Sequence, residues 1–137
     1  LMTRIRPYTQ AIDRLKAAKL RPTRQRIALA RLLLEGEDRH VTAEQLHVEA
    51  LDANVRGSLA TVYNSLHQFT AAGLIREVVV ETGRSYFDTN TSDHYHFFEE
   101  DTAALSDIPT DSIELTALPQ APEGRIIDRV DIIVRLK

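Results

Sequence analysis

Two histidines one residue apart, His94 and His96, are the first chemistry-bearing pair in this sequence. They fall in a β-rich run from His94 to Phe98. Alternate side chains of a strand share a face, so both rings are expected on one side and Asp93, Tyr95 and Phe97 on the other. Imidazole combined with carboxylate is an ordinary ligand set for Zn, Fe(II) or Mn. An H-x-H pair is also a common polar strand face, and the spacing alone leaves both readings open.

A second set lies between Ser58 and Gly73. At 100° per residue, Leu59, Val62, Leu66 and Phe69 form one apolar stripe flanked by Tyr63. Ala60, Thr61, Asn64 and Gln68 lie opposite, on a face with no acidic residue. Asn and Gln can pair bidentately with adenine, and Thr or Ala methyls can touch thymine methyls. A solvated helix face, the alternative, ordinarily carries Glu and Lys. Arg21, Arg24 and Arg26 gather at the start of the preceding helical pattern, where a helix-turn-helix protein contacts phosphates or a minor groove. Arg84 sits near a hairpin tip, suited to backbone contact. His47 and His67 lie on helices and read as surface histidines.

The elements that must position these groups are legible in order. Thr9 to Leu20 is amphipathic and is broken by Arg21-Pro22-Thr23. Thr23 caps a second helix to about Glu35, closed by Gly36. Thr42 with Gln45 makes a capping box, and Val41 with Leu46 a hydrophobic staple, for a third helix to about Ala53. Ser58 caps the fourth, which ends at Ala72-Gly73. Leu74–Val80 and Arg84–Phe87, separated by Glu81-Thr82-Gly83, read as a hairpin. Helices followed by a two-stranded hairpin is the winged-helix order. A second β-rich module follows at His94–Phe98, Leu105–Ile108 and about Ile126–Leu136. The prolines at 119 and 122 bar a long helix between them. The expected fold is α+β: a winged-helix DNA-binding domain over 1–88 and a small α/β domain over 89–137.

Charge supports the division. Residues 1–87 hold 13 Lys/Arg against 9 Asp/Glu, and residues 88–137 hold 4 against 11. A basic half suits a polyanion and an acidic half suits cations or a partner; a chance imbalance of surface charge is the alternative. The chain has no cysteine, which excludes disulfides and thiolate zinc sites. No apolar run reaches the ~18 residues of a membrane span, and no apolar stretch follows the basic start. A cytoplasmic protein without membrane association is therefore expected.

These residues resemble the ferric uptake regulator (Fur) family. The resemblance is carried by Leu20-Arg21-Pro22-Thr23-Arg24-Gln25-Arg26, by His40-Val41-Thr42-Ala43-Glu44-Gln45-Leu46 and by Ser58-Leu59-Ala60-Thr61-Val62-Tyr63-Asn64. Arg76, Tyr86-Phe87-Asp88 and the His94/His96 pair follow in the family's order. Within it, Ser65-Leu66-His67-Gln68-Phe69-Thr70, Ser85-Tyr86-Phe87-Asp88-Thr89-Asn90-Thr91 and Asp131-Ile132-Ile133-Val134-Arg135-Leu136 look closest to the iron response regulator (Irr) branch. The resemblance implies a homodimer on palindromic promoter DNA of iron- or haem-responsive genes, with residues 89–137 as a dimerisation and metal- or haem-sensing domain; a tetramer is the alternative the sequence leaves open. Tyr63 would touch a thymine and Arg21 would approach the minor groove. The regulatory metal site would fall on His40, Asp88, His94, His96 and Asp107. A second site would map to Asp93, Tyr95 and Glu114, where Tyr95 is a poor ligand. Glu99 and Thr102 occupy positions where many members carry a zinc-binding cysteine pair. Haem, if it is the effector, would be ligated by His94 or His96, with Tyr95 as an axial candidate.

The leading expectation is thus a DNA-binding regulator responsive to haem or a divalent metal. Its nearest competitor is a Mn(II)- or Fe(II)-activated repressor of metal uptake. A metalloenzyme using His94, His96 and Asp88 is a distant alternative: a hydrolase needs an open coordination position and a placed base, and the sequence has no HExxH, no Gly-rich phosphate loop and no Ser/His/Asp arrangement. A metal or haem buffer without DNA activity is a third.

Overall fold

The computed structural model describes residues 9–137 and forms two compact units, the first ending at Thr91 and the second spanning Ser92–Lys137. All helices of the described residues lie in the first: α1 (Thr9–Ala17), α2 (Arg24–Leu34), α3 (Ala43–Asp52) and α4 (Leu59–Ala71). None is long and apolar enough to cross a membrane.

The helix starts follow the capping residues. Thr23, Ser58 and Thr42 each accept a bond from a first-turn amide of α2, α4 and α3. At Thr42 the box is reciprocal: Gln45 N–H donates to Thr42 Oγ1 at 3.1 Å and Thr42 N–H donates to Gln45 Oε1 at 2.9 Å. Thr42→Ala removes the side-chain acceptor and is expected to cost about 1 kcal/mol in a denaturant titration.

Three helices stop the same way. Leu20, Val55 and Leu74 donate N–H bonds to the carbonyls of Leu15, Ala50 and Phe69, five residues back. The residue before each has positive φ: Lys19 (62°), Asn54 (59°) and Gly73 (80°). This is the Schellman stop, with an apolar residue just beyond the left-handed one. It ends α1 at Ala17, three residues before the expected stop at Leu20, so Pro22 lies beyond the end and does not cause it. Lys19 carries a Cβ in a conformation that disfavours one. Lys19→Gly is expected to raise stability by about 0.5 kcal/mol, read as a shift of the denaturation midpoint.

The core of this unit is the meeting of the four apolar faces with the hairpin. Leu15, Leu29, Leu33, Leu46, Leu66, Phe69 and Phe87 are all essentially inaccessible. Strands β1 (His40–Val41), β2 (Arg76–Glu81) and β3 (Arg84–Asp88) form an antiparallel sheet in the order β1-β3-β2. The hairpin closes through Thr82-Gly83, with Gly83 at φ 75°. The first unit therefore has the element order of a winged helix. Strand β1 was not anticipated; a two-residue strand has too little pattern to read. Residues 89–91 stay with the first unit, since Thr89 N–H donates to the Arg39 carbonyl at 3.0 Å and Thr89 Oγ1 accepts from Arg39 N–H at 2.8 Å.

Arg39 is also the anchor of β1. Its Nη1 and Nη2 donate to Glu49 Oε1 and Oε2 on α3 at 2.8 and 2.6 Å. The bond to Arg39 holds the Glu49 carboxyl below its usual range, against the opposing effect of burial. A depressed carboxylate contributes stability above its unfolded pKa of about 4.3, and that contribution is lost as pH falls through the lower folded value. Both groups are a third exposed, so the pair is worth only about 1 kcal/mol. Glu49→Gln is expected to lower stability by that amount at pH 7, and the difference from the parent chain should shrink as pH falls below the ordinary carboxylate range, in paired denaturation curves.

The second unit is a three-stranded sheet in the order β5-β4-β6: β4 (His96–Glu99) pairs antiparallel with β5 (Ala104–Asp107) and parallel with β6 (Ile133–Leu136). Two expectations are corrected here. Strand β4 starts at His96, so His94 lies just outside it, and the closing strand is confined to Ile133–Leu136. Around Pro119 and Pro122 no helix forms, as the prolines require; residues 109–132 hold neither helix nor strand. Each proline removes an amide donor and clashes with the preceding turn. The α+β class holds for the chain as a whole, with helices in the first unit alone.

Candidate metal centre and nucleic-acid interface

His40 and Asp88 meet because β1 pairs with β3, which places them directly opposite one another. His40 Nε2 lies 3.1 Å from Asp88 Oδ2. Asp88 is 1% exposed, and its Oδ1 accepts the Asn90 N–H at 2.9 Å. A carboxylate this deep persists only with strong partners.

In the second unit, the β4–β5 register sets His96 opposite Asp107. His94 Nε2 lies 3.2 Å and His96 Nε2 3.5 Å from the same oxygen, Asp107 Oδ1. The ligand atoms of these three residues fall within 4.8 Å of one another, and the two rings are 4.5 Å apart. The His94 Nδ1 contact with the Ser92 carbonyl, at 2.7 Å, requires that nitrogen to carry the proton. In a neutral ring this leaves the Nε2 lone pair facing a carboxylate oxygen. Two acceptors at hydrogen-bond distance need a cation or a second proton between them. A carbonyl holding the far nitrogen is also how metal-binding imidazoles are oriented. The donor set therefore fits a small divalent ion.

The second mapped site is not drawn together to the same degree. Asp93 and Tyr95 line a cleft of about 170 Å³ with His94, Ile108 and Asp111, but Glu114 is exposed and outside that lining. The positions corresponding to the cysteine pair hold a hydrogen bond instead: Thr102 Oγ1 donates to Glu99 Oε2 at 3.1 Å across the β4–β5 turn.

On the first unit, α4 buries Val62, Leu66 and Phe69 and exposes Ala60, Asn64 and Gln68. Thr61 is half-buried and belongs partly to the cap, its hydroxyl 2.9 Å from Ser58 Oγ. Gln68 is braced: Arg26 Nη2 donates to its Oε1 at 2.8 Å while Arg26 Nη1 donates to the Arg21 carbonyl at 3.0 Å. Arg26 is thus placed as a tie between α2 and α4 rather than as an open cation. Arg84 pairs with Glu81 at 3.0 Å across the hairpin turn. Arg21 and Arg24 are exposed, as is Arg56, a residue the sequence reading passed over. Arg24, Gln25, Asn54 and Arg56 line one cleft of about 350 Å³ beside the α3–α4 turn. Gly57 in that turn has φ 152°, and a Cβ there would lie 2.6 Å from Gln25 Nε2.

The sequence profile of the ferric uptake regulator family matches residues 17–130. This chain belongs to that family. It is 36% identical over 101 residues to the ferric uptake regulation protein of Shigella flexneri, covering 73% of this chain and 68% of the relative. It spans about two thirds of the length of the curated relatives it matches, 66% of the Klebsiella pneumoniae protein for example. Among solved structures, the Vibrio cholerae ferric uptake regulator aligns with a TM-score of 0.71 at 25% identity, over 92% of this chain and 98% of that one. The Pseudomonas aeruginosa regulator solved with manganese aligns at 0.68, with 23% identity, over 93% and 96%, and supports the fold alone. As a member of the Fur family, the chain is a metal-responsive transcription regulator, not an enzyme.

Proposed function

We propose that this protein binds palindromic promoter DNA as a homodimer in the cytoplasm, with α4 as the reading helix, and that a divalent metal governs the binding. The observation that carries the DNA reading is the exposed amide-bearing face of α4, flanked by the open cations Arg21, Arg24 and Arg56. Asn64 and Ala60 would address base edges, Tyr63 a thymine, and Arg21 a minor groove. Arg24, with Arg56 beside it, would hold phosphate. Arg84 would add backbone contact from the wing, and Thr61 would sit at the helix entry.

For the effector, His40 and Asp88 of the first unit and His94, His96 and Asp107 of the second are the proposed ligands of one ion. A divalent ion there would supply the positive charge that their lone pairs and carboxylates call for. Ligands drawn from both units would bias one DNA-competent arrangement of the two reading helices, whose half-sites must lie about 10 bp or a multiple apart. Mn(II), Fe(II) and Zn(II) all suit the donor set, and the genes controlled would be those of metal or iron supply. The haem-responsive, Irr-like reading has less support. Imidazoles turned toward a shared carboxylate suit a small ion, and the cleft beside His94, at about 170 Å³, is small for a macrocycle.

A duplex-binding titration separates these readings. Metal-stripped protein is tested alone, with Mn(II), with anaerobic Fe(II) and with haem. Binding that appears only with the metal ion supports the activated-repressor reading. Binding by the stripped protein that haem releases replaces it with the haem-responsive one. Salt-insensitive or absent binding in every condition defeats the DNA reading altogether.

A further inference from the structure

The reading face of α4 carries no acid of its own, yet a carboxylate from another helix stands beside it. Glu44, in the first turn of α3, is exposed and accepts the Tyr63 hydroxyl proton at 3.0 Å. Tyr63 is half-buried, and its ring stacks on His67 of the same helix, centroids 6.1 Å apart and planes within 19°. The ring is therefore held from two sides: His67 covers one face and Glu44 fixes the hydroxyl. The capping box at Thr42 and Gln45 keeps the first turn of α3, and so Glu44, in place.

A phenol has one proton to donate. When it goes to Glu44, the oxygen keeps only acceptor capacity. An acceptor meets cytosine N4 or adenine N6 in the major groove and finds no partner at guanine O6 or thymine O4, so the thymine contact of Tyr63 falls to its ring against the methyl and the oxygen addresses the neighbouring base. We infer that Glu44 is a specificity-determining positioning residue: by holding the Tyr63 proton it makes Tyr63 read DNA through its ring and an acceptor oxygen, and its charge discourages indiscriminate phosphate binding. This rests on α4 being the DNA-reading helix. The hydrogen bond to Glu44, followed by burial and the charges of Glu44 and Glu77, also raises the Tyr63 hydroxyl above the usual tyrosine range.

Four variants of the full chain test it: Glu44→Ala, Glu44→Gln, Tyr63→Phe and the double substitution of Glu44→Ala with Tyr63→Phe. Glu44 is exposed and the cap it neighbours is made by other side chains, so all are expected to fold, which thermal denaturation checks. Two readouts follow, the ultraviolet titration of the tyrosines without DNA and binding to a duplex panel carrying each base in turn at each position of the site. Glu44→Ala is expected to return the Tyr63 hydroxyl to the ordinary range, to shift base preference at one position roughly tenfold toward guanine or thymine, and to raise affinity for unrelated duplex. Glu44→Gln keeps an acceptor and should retain the base preference while showing the raised non-specific affinity. In a Tyr63→Phe background, Glu44→Ala should leave base preference unchanged. An unchanged tyrosine titration, or a Glu44→Ala variant with the parent's base preference, overturns the inference while leaving the DNA reading standing. A parent chain that binds no duplex under any metal condition overturns both, and the DNA-free titration then shows the contact alone.

Discussion

His96→Ala is expected to weaken Mn(II) or Zn(II) binding by at least about 100-fold, measured by calorimetric titration of metal-stripped protein. Loss of an orienting partner alone costs 10- to 100-fold at such sites, and His96 would be a ligand itself. It is 5% exposed and fixed opposite Asp107 by the β4–β5 register, so no neighbouring side chain can swing in to replace it. The stability linked to binding should vanish with it. The parent chain gains about 2.7 kcal/mol at a metal concentration 100 times Kd, and the variant should gain almost nothing. Asp88→Asn separates two possibilities. If ligands from both units share one ion, this first-unit substitution also weakens binding sharply. If metal affinity is unchanged, His94, His96 and Asp107 act without it, and the coupling of the two units through metal is wrong. His47→Ala is the control, since His47 contacts only the Gly57 carbonyl among the bonds described, at 3.1 Å in the α3–α4 turn.

The second large effect separates reading from holding. Asn64→Ala is expected to lose about 1–3 kcal/mol of discrimination at one base pair while its affinity for unrelated duplex stays near the parent's. Asn64 is exposed on α4 and its amide can bond two adjacent edges of adenine. Arg24→Ala should instead weaken all sequences alike and lower the slope of log affinity against log salt by about one, because it removes one phosphate contact. Competition titrations at several salt concentrations give both quantities. The same pattern from both substitutions would defeat the assignment of reading to α4 and holding to the start of α2. Arg26 should behave differently again. Its guanidinium braces Gln68 and the Arg21 carbonyl, so Arg26→Ala is expected to lower stability as well as affinity.

The order and kind of the first-unit elements were legible because their signals are local. Thr42 and Gln45 are three residues apart, and the stop at Gly73 is a single residue with the right neighbours. The division of α4 into a buried stripe and an exposed amide face follows from its 100° period alone. Lys19 was missed as a stop because lysine carries no general preference for the left-handed region. The second unit was read less well. Its strands are four residues long, and the long irregular stretch before Ile133 leaves no period to follow.

The sequence by itself therefore determined the helices, their caps, the exposed amide-bearing face of α4 and the H-x-H pair. Apart from what the family resemblance implied, only the tertiary structure decided which carboxylates meet the histidines and which charges are already committed. His40 meets Asp88 through a pairing that joins residues 48 positions apart, and His96 meets Asp107 through a register that a one-residue slip would reverse. Arg39 with Glu49, Arg26 with Gln68 and Tyr63 with Glu44 likewise pair across elements. Such pairs are fixed by how helices and strands pack on a shared core, and no spacing within one element records them.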